Sequence, residues 1–213
     1  MKRLCAMIFV LLLVLENALA AGKLTVTQET VIPVPAASGG SYVYVFADVV
    51  NSGDKPVRFG SALMEVYDAE GNAFGSGDGF TCYPDTLAPG DTGVMWGSFR
   101  AEKGTVSDHT LTVTGKSVKE NATYLLPCTV RQEGDALYAV VENDAEFVRF
   151  GVTAVFTLRD AEGRLVWVQA MTLNDVGIPA GGSVMLRRDL RYDPVLRELG
   201  GAPLVCGGYA YGE

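Results

Sequence analysis

Along most of this chain the apolar residues follow strand periods, and helical spacing is nearly absent. Residues 41–50 (SYVYVFADVV), 137–141, 152–158 and 165–168 are short runs rich in β-branched and aromatic side chains, a composition that suits a pleated strand. Clusters of Gly, Pro, Asn and Asp separate such runs at 51–54, 87–91 and 178–182. Short strands with turn signals at intervals of roughly 8 to 12 residues predict an all-β sandwich. Residues 31–35, with Pro33 and Pro35, predict an extended edge segment, because proline donates no ladder hydrogen bond. Residues 193–199 predict one short helical turn.

The pattern is written twice. VRFG begins at Val57 and again at Val148, 91 positions on, and DAEG begins at Asp68 and again at Asp160, 92 positions on. Val49-Val50-Asn51 is echoed by Val141-Glu142-Asn143, and Leu87-Ala88-Pro89-Gly90 by Ile178-Pro179-Ala180-Gly181. Four matches in one order at a nearly constant offset identify a tandem duplication. The expected domains are 21–117 and 118–213, each a β-sandwich of ordinary domain size. The turn at 193–199 has no counterpart in the first copy and reads as an insertion before the last strand.

Ahead of the first copy, Lys2 and Arg3 precede an uncharged run of 12 residues, 4–15, and Ala18-Leu19-Ala20 follows with small residues at alternate positions. This predicts a secretory signal peptide, residues 1–20, cleaved after Ala20; a membrane-spanning helix needs roughly 20 apolar residues. The mature chain is expected outside the cytoplasm, secreted or at the cell surface, with no integral membrane span. Losing Lys2, Arg3 and Glu16 takes the formal charge from −8 to −9. That acidity argues against nucleic acid and anionic lipid, which are bound through clustered Lys and Arg. Arg187, Arg188 and Arg191 form the one basic cluster, and acidic residues flank it.

The run strand, acidic turn, strand, Pro-Gly turn resembles the FxLYD type of bacterial extracellular domain. The second copy carries Phe156-Thr157-Leu158-Arg159-Asp160, and the first Met64-Glu65-Val66-Tyr67-Asp68. The resemblance implies two tandem immunoglobulin-like antiparallel β-sandwiches from a bacterial secreted or surface protein. It brings no catalytic residues.

Candidate chemistry is sparse. DAEG suits a hairpin, where Asp caps its own backbone and Gly takes positive φ. A calcium loop needs about six oxygen ligands, and Arg164 stands where the first copy has Asn72; the first copy alone, with Asp78 nearby, keeps a calcium-dependent alternative. The mature chain holds Cys82, Cys128 and Cys206. First and last strands of a sandwich often run close, which pairs Cys128 with Cys206 in a disulfide and leaves Cys82 as a buried thiol. A thiol enzyme using Cys82 would need His109, the one histidine, and no nucleophile elbow surrounds that cysteine. Zinc would need more His and Cys in close spacing. Trp96 and Trp167 occur singly and make no carbohydrate platform, and the sequon at Asn121 falls at the junction between copies. No cofactor is expected. The sequence suits a non-catalytic binding or scaffold protein whose loops or sheet edges meet a protein or cell-envelope component. An extracellular hydrolase or transferase is the alternative. Asp78 with Asp85, and residues 187–192, are the polar clusters to examine for asymmetry between copies.

Overall fold

The structure, a computed structural model, describes residues 22–102 and 104–212; the expected signal peptide lies outside the described residues. Among the described residues there are fifteen strands and one short helix, and every ladder is antiparallel. The first sheet orders β1 (Leu24–Pro35), β2 (Ser41–Asn51), β7 (Thr92–Ala101) and β5 (Phe80–Tyr83). The second centres on β3 (Val57–Tyr67), with β4 (Ala73–Gly77) and β6 (Thr86–Leu87) on one edge and β8 (Asp108–Ser117) on the other. In the third, β13 (Leu165–Leu173), β12 (Val152–Arg159), β15 (Val205–Gly212) and β9 (Tyr124–Leu126) lie in that order. The fourth orders β10 (Cys128–Glu133), β11 (Ala136–Glu142) and β14 (Ser183–Asp189). No helix among the described residues is long and apolar enough to cross a membrane.

Alternation along β2 explains how the first two sheets meet. Val43, Val45, Ala47 and Val49 enter clusters shared with Val57, Ala62, Met64 and Val66 of β3. Phe46 points the other way, as the two-residue period requires. Both faces of β2 are therefore covered, which is why 41–50 reads as an almost continuous apolar run. β1 forms the edge of this sheet, and Pro33 and Pro35 lie on it.

A buried asparagine pins the loops at one end of each half. Asn51 Nδ2 donates to Lys55 O (2.8 Å) and Leu87 O (2.9 Å); Asn143 Nδ2 donates to Phe147 O (2.8 Å) and Ile178 O (2.8 Å). Both side chains are essentially without solvent contact. Loop carbonyls that water cannot reach find their donor there.

The free face of the first sheet packs onto the third. Ile32, Val34, Phe46 and Val94 belong to one continuous cluster with Val155, Val166 and Val168, and that cluster runs on to Leu137 and Leu186 of the fourth sheet. Across the same contact Arg159 makes a two-pronged bond to Asp48, Nη1–Oδ2 2.8 Å and Nη2–Oδ1 2.7 Å. Tyr209 donates its hydroxyl hydrogen to the Tyr83 carbonyl. The four sheets thus stack second, first, third, fourth. Every residue from Val152 to Leu158 is buried, because β12 meets the fourth sheet with one face and the first with the other.

Phe46 tests this contact. Truncating a buried phenylalanine costs about 3–5 kcal/mol, so Phe46→Ala should lower the urea-unfolding free energy by that amount. An unchanged midpoint would mean that the first and third sheets do not support each other.

Candidate functional site

The DAEG words are turns in both halves. Asp68 Oδ1 accepts from the N–H groups of Glu70 (3.0 Å) and Asn72 (2.7 Å), and Asp160 Oδ1 from those of Glu162 (3.1 Å) and Arg164 (2.8 Å). Gly71 and Gly163 take φ near +80°, the conformation glycine adopts without strain. The Asn72 N–H holds the Asp68 carboxyl below its ordinary range. Desolvation pushes Asp160 up, but the N–H and guanidinium of Arg164 together outweigh it. Arg164 Nε lies 2.7 Å from Asp160 Oδ2. Asp78 and Asp85 flank β5 at opposite ends: Asp78 is exposed, while Asp85 accepts from Thr86 Oγ1 (2.8 Å) and faces Arg58 Nε at 3.5 Å. Among the described residues no three His, Cys, Asp or Glu converge on a metal position.

The cysteines correct one expectation: Cys82, Cys128 and Cys206 are all free thiols, and the expected Cys128–Cys206 bridge is not formed. Register is the reason. Leu126 stands opposite Ala210, and Val130 packs over Gly208, whose Cβ would lie 2.8 Å from Val130 Cγ2. Cys128 falls between those levels and Cys206 beyond the far one. Burial pushes Cys128 up to about 11, and burial with the nearby Asp85 charge pushes Cys82 up to about 12. Neither is a thiolate near neutrality. Cys82 sits among Ala47, Val49, Val57 and Met95, while His109 Nε2 lies 2.9 Å from Glu29 Oε1.

Residues 187–192 do lead to a site. After β14 the chain runs through residues 190–204 before β15, and α1 (Pro194–Glu198) lies within that stretch. Asp193 caps α1, Oδ1 accepting from Val195 N (3.0 Å) and Leu196 N (3.3 Å), with proline in the first turn, where its missing N–H costs nothing. Its Oδ2 accepts from Trp167 Nε1 at 2.8 Å. Val195 plugs the core at 1% exposure. Gly200 and Gly201, at φ +64° and +78°, turn the chain out of the helix. Leu190 N donates to Asp135 O (2.9 Å), tying the segment to the β10–β11 hairpin.

Between this segment, the hairpin and β12 lies a partly open cavity of about 630 Å³. Leu158, Leu190, Leu196, Leu199 and Leu204 give it an apolar floor; Gln132, Asp135, Arg191, Tyr192 and Arg197 stand at its mouth. Tyr192 is 91% exposed. Arg191 binds Asp189 (Nε–Oδ1 3.0 Å) and holds that carboxyl far below its usual range. Arg197 has no ion-pair partner among the described residues. An apolar floor with a few polar groups at the rim is the ordinary anatomy of a binding pocket, and the volume falls in the usual range of roughly 300–1,000 Å³. The basic cluster at 187–191 signalled this place in the sequence; Gln132 and Asp135 arrive from a distant hairpin and carried no local signal.

No family model matches the chain, and no curated protein matches it. Among solved structures, red sea bream transglutaminase aligns at 14% identity and TM-score 0.20, over 78% of this chain and 27% of that one. The chain spans just over a quarter of that protein, and an overlap at this score carries no argument about function.

Two outcomes follow from the geometry. Asp193→Ala removes a helix cap, worth about 1 kcal/mol, and strands the Trp167 N–H; thermal melts and tryptophan emission should both shift, and an unchanged spectrum would separate Trp167 from the cap. Asp68 is held below its ordinary value of 3.8, so its contribution is complete above that value and fades as pH falls through it. Asp68→Ala should therefore melt lower than wild type at neutrality, with the gap closing in acid. A gap that widens in acid would exclude the carboxylate as the stabilising form.

Proposed function

We propose that this chain is an exported, non-catalytic binding protein of the FxLYD type, built of two tandem immunoglobulin-like sandwiches (21–117 and 118–213) after a cleaved signal peptide. The cavity beneath residues 190–204 receives an apolar group of a macromolecular partner, a protein or cell-envelope component outside the bacterial cytoplasm. The carrying observation is where that cavity lies: it is lined in part by the segment that holds the turn at 193–199, which has no counterpart in the other half. A scaffold shared by both copies thus bears a pocket in one of them, the arrangement expected of a binding feature grafted on a stable frame. The side chains around it support binding over turnover. Asp193 is committed to a cap and to Trp167, Asp189 is committed to Arg191, and the buried Cys82 thiol and the Glu29-bound His109 stand elsewhere.

Immobilised mature protein is to be compared with its Tyr192→Ala and Leu199→Asp variants for capture from envelope and secreted fractions, beside a broad hydrolase screen. Exposed aromatics at such mouths contribute heavily to affinity, so Tyr192→Ala should weaken capture about tenfold with an unchanged melt. Capture indifferent to both variants would overturn the cavity as the site. Substrate turnover abolished by Cys82→Ala or His109→Ala would overturn the non-catalytic reading.

A further inference from the structure

The two copies correspond residue by residue around the cavity. Val66 matches Leu158 and Val43 matches Asp135, each 92 positions on, and Phe99 matches Leu190, 91 positions on. The ladders agree with this match. Val43 stands opposite Phe99 across β2 and β7, and in the second half Leu190 N donates to Asp135 O at 2.9 Å. Asp135, Leu158 and Leu190 all line the cavity, so the first half shows a filled version of the same place.

There Val43 and Val66 are completely buried, in one cluster with Ala101, and Phe99 and Val106 pack against that cluster. The phenylalanine is held closely: a Cβ on Gly77 would lie 2.5 Å from Phe99 Cβ and 2.6 Å from its Cγ, so glycine makes room for the ring. The chain crosses from β7 to β8 between Ala101 and Asp108, and Val106 joins the cluster on the way. In the second half leucine stands in place of Phe99 and aspartate in place of Val43, and the longer crossing through 190–204 runs around the space. Tyr192 is 91% exposed at the position where the first half buries Ala101 at 1%. The second half thus holds an apolar space where the first holds a phenyl ring.

The rim supplies a polar contact. Asp193 is taken by Trp167 and by the cap of α1. Asp189 binds Arg191, Nη2–Oδ2 2.5 Å, and Asp189 first, then Asp135, hold that guanidinium above its ordinary range. Arg197, in the last turn of α1, is exposed at the same mouth. Its planar fork suits a carboxylate.

We propose that the occupant of the cavity is a phenylalanine side chain of a partner protein, carried on a segment whose neighbouring carboxylate meets Arg197. This rests on the cavity being the binding site and adds which group enters it. An aromatic side chain seated in a desolvated pocket, with an arginine beside it, is the usual make-up of an interface hot spot. The net charge of −8 opposes an anionic bilayer surface and favours a protein over a lipid as the source of the apolar group.

The probe is hydrocinnamate, which is phenylalanine without its amino group, titrated into the isotope-labelled mature protein beside neutral hydrocinnamamide and the aliphatic anion octanoate. Saturable shifts at the methyl groups of Leu190, Leu196, Leu199 and Leu204 are expected, with hydrocinnamate binding about tenfold more tightly than its amide and more tightly than octanoate. Arg197→Gln should bring the acid down to the level of the amide. Leu190→Phe, which returns the first half's ring to the wall, should abolish saturable shifts from both phenyl probes with the melt held or raised. Octanoate binding as tightly as hydrocinnamate overturns the aromatic anchor and points to the acyl chain of an envelope lipid. An Arg197→Gln variant that still prefers the acid overturns the carboxylate contact. If hydrocinnamate gives no saturable shift while Leu199→Asp still abolishes partner capture, this inference falls alone; capture indifferent to Leu199→Asp takes the cavity reading with it.

Discussion

β12, inside the third sheet, has no free face, and most of the architecture follows from that burial. A sheet enclosed on both sides must be apolar on both sides, and its polar atoms must find partners within the contact. β12 meets both demands. Its residues from Val152 to Leu158 are all buried, the Thr153 and Thr172 hydroxyls lie 2.9 Å apart, and Arg159 emerges at the strand end to meet Asp48. A paired, half-buried charge at the rim of an apolar contact adds direction to a force that has none of its own. It sets which strands face each other.

Much of this was legible in the residues. Alternation and turn clusters locate the strands, and the two DAEG words sit on hairpins as their Asp and Gly chemistry requires. The helical turn at 193–199 also matches. Enclosure on both faces was written in the unbroken run at 152–158, yet the same run suits any central strand, so one segment cannot say what covers it. The echo of Asn51 in Asn143 was visible as a repeated letter; its role needs two loops brought within reach of one amide group. The disulfide expectation failed for a related reason. That β10 and β15 run near each other follows from sandwich geometry, but which residues meet depends on register set by Leu126 against Ala210 and by Val130 over Gly208. The leucine-floored cavity draws on the β10–β11 hairpin, β12 and the segment before β15, and no one of these announces it.

Arg159 stands where the first half has Tyr67. Asp48 gives the arginine a physical reason. The two halves differ at Arg159, which lies at the contact between sheets, and at residues 190–204, which line the cavity. The asparagine pin and the acidic turns are common to both halves.

The stacking of four sheets also makes the molecule a mechanical element. Bonded layers bend only by shearing against one another, so a laminate is stiffer than its separate plies. Here the shear would have to drag Phe46 and Val94 past Val166 and Val168 while opening the Arg159–Asp48 fork. These resist in parallel, so a pull applied to the two halves is shared until they yield together.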